Sequence, residues 1–232
     1  MRKRDQTPGP AARGFSFALE ELDGVLQLRA LHWPGNQALR LAWNSAEMRR
    51  RMDAGRKQIL GRALGLHRHP ALSVLDATAG LCRDALSIAS LGTRVIALER
   101  HPLLHAMHRH EWLRLLAGPQ EARLHAALNN LDLHHGDACL RVAGLAADVI
   151  YLDPMYPKAR RHALGGLEMQ YLDALLGPAD DPAQLLAAAL AGSARRVVVK
   201  RPRRAAPISG PAPSLQMKGN QTRFDIYLLQ PD

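Results

Sequence analysis

Cysteine is scarce in this chain. Cys82 and Cys139 are its two thiols in 232 residues. That excludes a disulfide framework and points to a reducing compartment, the cytoplasm. No apolar run approaches the ~20 residues a bilayer requires, so neither a transmembrane helix nor a membrane partner is expected. The opening MRKRDQTPGP is basic but has no apolar stretch, so it does not read as a secretory signal. No sustained period is present, which excludes collagen-like and coiled-coil chains. Two glycine fingerprints are also missing. Without G-x-G-x-x-G or G-x-x-x-x-G-K-[ST], neither a dinucleotide pyrophosphate loop nor a P-loop is available.

Apolar residues make up 47% of the chain, enough to bury a core. The net charge is +10, with 26 Arg and 5 Lys against 21 acidic residues. Residues 1–70 hold 13 basic and 6 acidic groups, so the excess is concentrated at the front. Guanidinium groups bind phosphate in a bidentate way, and a polyanionic partner accounts for this balance.

The chain divides into a front region, 1–44, and a larger unit, 45–232. The front region is a basic arm followed by a short β hairpin around Asp23-Gly24. The larger unit opens with an amphipathic helix over 45–65, with Asn44 and Glu47 spaced for a capping box. Arg49, Arg50 and Arg56 are candidate RNA contacts on that helix. From residue 71, apolar strands alternate with helices. Strands are expected at Leu72–Asp76, Arg94–Leu98, Leu131–His135, Asp148–Leu152 and Arg195–Lys200, with a closing hairpin around Gly219-Asn220. This predicts an α/β, Rossmann-like parallel sheet, doubly wound.

Ligands of such sheets bind beyond the carboxyl ends of the strands. Those ends supply Asp76, Glu99, Asp137, Asp153 and Lys200-Arg201. The first turn, Asp76-Ala-Thr-Ala-Gly80, has one glycine and suits a nucleoside without phosphates. Glu99 lies 19 residues after Gly80, where an acid can accept hydrogen bonds from a ribose diol. S-adenosylmethionine is such a ligand, and Asp137 can reach its adenine. Asp153-Pro154-Met155-Tyr156 resembles the (Asp/Asn)-Pro-Pro-(Tyr/Phe) motif of methyltransferases acting on exocyclic amines of nucleobases. A conjugated amine is a poor nucleophile. A carboxylate that accepts its N–H bonds favours an exposed lone pair, Pro154 stiffens the turn, and Tyr156 stacks on the base. His101, His105, His108 and His110 lack a neighbouring Cys or acidic set, so no metal site is expected.

Five motifs in order resemble the RsmJ family, bacterial 16S ribosomal RNA guanine-N2 methyltransferases. They are Asp76-Ala-Thr-Ala-Gly-Leu-x-Arg-Asp84, Leu98-Glu-Arg100, Tyr151-Leu-Asp-Pro-Met-Tyr-Pro157, Val197-Val-Val-Lys-Arg-Pro202 and Arg223-Phe-Asp-Ile-Tyr227. The resemblance implies S-adenosylmethionine as cofactor and 16S ribosomal RNA or the small ribosomal subunit as partner. It carries the cofactor contacts onto Arg83, Asp84, Glu99, Arg100, Asp137, Ala138 and Asp153. Cys82 stands where the family usually has glycine, and a side chain there is expected to crowd the methionine tail. Lys158, Lys200 and Arg201 are further candidate RNA contacts. Two other readings remain open. A DNA adenine-N6 methyltransferase shares the amine chemistry, and a non-catalytic RNA-binding module could sit on a decayed methyltransferase fold.

Overall fold

The protein is described by a computed structural model, which covers residues 16–31, 38–155, 167–177 and 181–229. Strands β1 (Phe17–Leu22), β2 (Val25–Ala30) and β3 (Ala38–Arg40) form an antiparallel three-stranded sheet. Asp23 and Gly24 both take positive φ between β1 and β2, as a tight hairpin turn requires. The sheet does not stand apart from the rest. Leu28, Leu39 and Trp43 share one buried cluster with Met48, Leu86 and Leu104.

The leading basic helix is two helices rather than one, α1 (Ala46–Asp53) and α2 (Ile59–Ala63). Gly55 has φ +70° and breaks the run. Ser45 caps α1, its hydroxyl accepting from the Met48 amide at 3.3 Å. The expected Asn44–Glu47 box does not form, because the helix starts one residue later. Glu47 pairs instead with Arg51 at 3.2 Å, one turn on.

The remaining elements are β4 (Val74–Asp76), α3 (Arg83–Ala89), β5 (Val95–Glu99), α4 (Pro102–Ala117), α5 (Ala122–Asn129) and β6 (Leu131–His135). They continue with α6 (Ala138–Arg141), β7 (Val149–Leu152), α7 (Leu167–Leu176), α8 (Pro182–Leu190), β8 (Arg196–Pro202), β9 (Leu215–Lys218) and β10 (Thr222–Leu228). The seven-stranded sheet has the order β6-β5-β4-β7-β8-β10-β9. Strands β6 to β8 pair in parallel, while β10 runs antiparallel to both β8 and β9. The sheet is therefore mixed rather than parallel throughout. The short link between β9 and β10 can join only antiparallel neighbours.

Every residue of β4 and of β7 is buried, as expected for central strands covered on both faces. Strand order reverses between β4 and β7, so a crevice opens above their carboxyl ends. Among the described residues, no helix is long and apolar enough to cross a membrane.

Candidate active site

A cavity of about 480 Å³ opens at this reversal, within the usual range for small-molecule sites. Its floor is the loop after β4. That loop is tied to several elements. The Ala77 amide donates to the Tyr151 carbonyl at 3.0 Å, and the Ala79 amide to the Leu98 carbonyl at 3.2 Å. The Gly80 amide donates to Glu99 Oε2 at 2.9 Å. Trp43 Nε1 donates to the Leu81 carbonyl at 3.0 Å, and His108 Nε2 bonds the Gly80 carbonyl at 2.8 Å. Burial pushes the His108 imidazole down to about 4, so the ring is neutral at physiological pH and donates that bond. Trp43 and His108 were not visible as site residues in the sequence. Both act from behind the loop, and an indole or imidazole inside an apolar pattern reads as ordinary core.

Cys82 sits in this loop with φ +62°, which explains a preference for glycine at the position. Its side chain is fully buried in the core and does not line the cavity. Cys82 is therefore not among the residues that face the cavity. Burial, with Asp76 and Glu99 nearby, pushes the thiol well above its ordinary range.

At one end of the cavity stand Glu99, Arg100, Asp137 and Ala138. Glu99 accepts from the Gly80 amide through one oxygen and from the His101 amide at 2.7 Å through the other. The Arg100 amide also bears on this carboxylate, and its remaining lone pairs are open to a ligand hydroxyl. Asp137 caps α6 by accepting from the Cys139 amide at 2.8 Å. Leu98, Ala138 and Leu185 add apolar wall.

At the other end stand Asp76, Arg83, Asp84, Asp153, Pro154 and Lys200. Lys200 Nζ lies 2.7 Å from Asp84 Oδ2 and 2.8 Å from Asp153 Oδ2. The Tyr151 hydroxyl donates to Asp84 Oδ2 at 2.7 Å, and Arg51 Nη1 lies 3.4 Å from Asp84 Oδ1. The Asp153 amide donates to Thr78 Oγ1 at 2.7 Å, so the Asp-Pro turn is bonded to the β4 loop. Arg83 pairs with Glu168 of α7 at 2.6 Å. The Phe17 ring meets the Tyr171 ring edge-on at 6.2 Å, so the front sheet supports the helix that walls this end.

The carboxylates here differ in charge. Burial, with Asp84 and Asp153 nearby, pushes Asp76 up to about 7. Burial would raise Asp84 as well, but the Lys200 ammonium, the Tyr151 hydroxyl and Arg51 hold it below its usual range. Asp153 is raised by burial and by Asp84, with Lys200 opposing. Burial disfavours the Lys200 charge, yet the two carboxylates keep its pKa above the ordinary value.

The candidate RNA contacts separate. Arg49 and Arg50 are exposed on α1, Arg49 pairing with Glu121 at 3.1 Å. Arg56 Nε donates to the Leu91 carbonyl at 3.0 Å, which ties the α1–α2 break to the core. Arg201 is buried and donates to the Ala206 carbonyl, so it holds a loop instead of facing RNA. Lys200 faces carboxylates inside the cavity rather than an outer surface. Tyr156 and Lys158 lie outside the described residues. Arg51, Thr78 and Tyr151 were missed in the sequence. A tyrosine inside the aliphatic run Val149-Ile-Tyr-Leu was the available signal, because a buried phenol needs a polar partner.

The fold and this cavity define a Rossmann-type methyltransferase. Comparison with known proteins agrees: residues 10–229 match a family described as putative SAM-dependent methyltransferases. A ribosomal RNA small subunit methyltransferase J from Coxiella burnetii (strain RSA 331 / Henzerling II) is 40% identical over 229 residues, covering 94% of this chain and 85% of that one. The protein of the same name from Halorhodospira halophila (strain DSM 244 / SL1) is 42% identical over 210 residues, covering 88% of this chain and 77% of that one. The crystal structure of a SAM-dependent methyltransferase from Neisseria gonorrhoeae superposes with a TM-score of 0.71 at 30% identity, covering 97% of this chain and 85% of that one. The chain belongs to the small subunit methyltransferase J family of SAM-dependent methyltransferases.

Proposed function

We propose that this protein methylates the exocyclic N2 of a guanine in 16S ribosomal RNA, using S-adenosylmethionine. The observation that carries the reading is the shared cavity. The Asp153-Pro154 turn at the end of β7 opens into the same space as Glu99 and the β4 loop.

The residues fit that cofactor. Glu99 would take the ribose diol, with Leu98 and Ala138 flanking the adenine and Asp137 at its edge. Asp76, Gly80, Arg83, Asp84 and Arg100 complete the binding wall. The cavity has an acid where a diol needs an acceptor and lacks a glycine-rich phosphate cradle. When bound, S-adenosylmethionine supplies an electrophilic methyl group on a sulfonium.

The chain's own residues do the rest. Asp153 accepts an N–H of the incoming amine, which keeps the nitrogen lone pair free for attack. As the nitrogen gains positive charge, the Asp153 carboxylate stabilises it and takes up the released proton. Pro154, buried and without an N–H, fixes the turn. Tyr156 stacks on the base. Most of the acceleration comes from alignment. Arg49 and Arg50 on α1, with Lys158 after the turn, neutralise RNA phosphates, which makes binding salt-dependent. Such a substrate is met in the cytoplasm.

The test is transfer of labelled methyl to small ribosomal subunits lacking the modification, followed by nucleoside analysis. Label in N2-methylguanosine is the predicted result. Label in N6-methyladenosine would overturn the target assignment, and no label would contradict the activity.

A further inference from the structure

We propose that Lys200 is a positioning residue for methyl transfer, whose ammonium seats itself between Asp84 and Asp153 and holds Asp153 as a fixed, ionised carboxylate. The inference rests on the reading of Asp153 as acceptor for the amine. It reassigns a lysine that the sequence places among RNA contacts.

Strand register puts the lysine there. Strands β7 and β8 run in parallel with Leu152 opposite Val199, so Asp153, just past the end of β7, comes level with Lys200 within β8. The lysine side chain is 25% exposed and reaches two carboxylates at 2.7 and 2.8 Å. Two of its three N–H donors lie on these carboxylates, and turning them to an RNA phosphate would leave the two carboxylates facing each other. Breaking a partly buried ion pair from one side costs far more than a surface contact returns.

The charge balance requires a cation at this place. The groups that bear on Asp153 are Lys200 from β8, Asp84 from α3, Asp76 from β4, Tyr151 from β7 and Arg51 from α1. Three of the five are carboxyl groups or a phenol that lose charge balance if ionised together. Arg51 lies against Asp84 Oδ1, on the far side from Lys200. Lys200 is the cation that touches both Asp84 and Asp153. Carboxylates that share a site without an intervening cation cannot all ionise, and one keeps its proton. Of the two carboxylates that Lys200 touches, Asp84 also has the Tyr151 hydroxyl and Arg51 against it, so Asp153 is the one of that pair that would take the proton. A protonated Asp153 no longer offers a full negative charge to the amine and cannot take up its proton.

The network also spans the reaction. Asp84 belongs to the wall assigned to the cofactor and Asp153 to the amine, so a single ammonium fixes the two relative to each other. The Tyr151 hydroxyl donates to the same Asp84 oxygen that Lys200 contacts. That leaves Asp84 little freedom to rotate away.

The test compares wild type with Lys200→Met and Lys200→Arg. Transfer rates to subunits are measured as a function of pH. On the same proteins, carboxyl-carbon NMR follows the titration of Asp153. Thermal melting and cofactor titration confirm that each variant is folded, and Lys200→Gln replaces the methionine variant if that one melts early. The expected result is an acidic limb of kcat that moves up by about one pH unit in Lys200→Met. Asp153 should titrate higher by the same amount, and Lys200→Arg should return both toward wild type. An unmoved limb and an unmoved Asp153, with a raised KM for RNA and a shallower salt dependence, would overturn the proposal and return Lys200 to phosphate contact. The NMR titration decides the hold on Asp153 independently of the substrate. If the wild type transfers no methyl to RNA while Asp153 still shifts in Lys200→Met, the reading of the activity fails and the ion network stands.

Discussion

The two ends of the cavity are built on different physics. At the Glu99 end, a carboxylate is held by backbone amides, chiefly those of Gly80 and His101. At the Asp153 end, Asp84 and Asp153 are held by side chains, chiefly Lys200. Backbone donors are neutral, fixed by the fold and indifferent to pH. An ammonium shared between two acids depends on every charge around it. On the proposed reading the difference suits the two tasks. A cofactor end would present one shape on every turnover, whereas a transfer end would tune a carboxylate that accepts and releases a proton.

Substitutions at each end should separate these behaviours. The largest effect is expected for Asp153→Ala, which removes the amine's acceptor and should lower methyl transfer about 100-fold or more in a single-turnover assay. Next is Glu99→Ala. It strips two backbone amides of their acceptor and the ribose of its partner, so cofactor affinity should fall about tenfold or more by calorimetry.

A smaller effect concerns stability. The Asp76 carboxyl is raised from 3.8 to about 7 in the folded protein. A raised group stabilises the fold while protonated, fully so below its unfolded pKa, and loses that contribution as pH climbs through the folded value. Wild type should therefore lose stability between about pH 4 and about pH 7 from this group. Asp76→Asn keeps the side-chain oxygen that accepts from the Thr78 amide but has no proton to lose. Its Tm relative to wild type should rise steadily across that window in thermal melts.

The smallest effect is expected on α1. Replacing Arg49 and Arg50 together by Gln should flatten the salt dependence of RNA binding by about one unit of slope per lost phosphate contact. Tm should barely move, because the exposed Arg49–Glu121 pair is worth about 0–1 kcal/mol.

What could be read from the sequence follows the same division. Asp76, Glu99 and Asp153 were legible because apolar runs fix where strands end, and the reversal of strand order fixes which ends share a crevice. The Gly80–Glu99 spacing brought those two residues to one wall of the cavity for the same reason. The charged end was not legible in detail. Asp84 and Lys200 are 116 residues apart, and nothing local marks them as partners. The basic residues were hardest to sort. Arg49, Lys200 and Arg201 look alike in sequence, yet one is exposed, one sits in the cavity and one is buried under a loop. The sorting depends on which carbonyls and carboxylates the fold brings near, and composition carries no record of that. The break at Gly55 and the Ser45 cap were missed because both are set within a residue or two, finer than hydrophobic periodicity resolves.

The most direct measurement is calorimetric titration of S-adenosylmethionine into Glu99→Ala and Asp153→Ala side by side, with methyl transfer measured on the same preparations. The account predicts that Glu99→Ala loses about tenfold or more in affinity, while Asp153→Ala binds the cofactor within about twofold of wild type and fails to transfer. Full cofactor binding by Glu99→Ala, or undiminished transfer by Asp153→Ala, would contradict the division of the cavity into a cofactor end and an amine end.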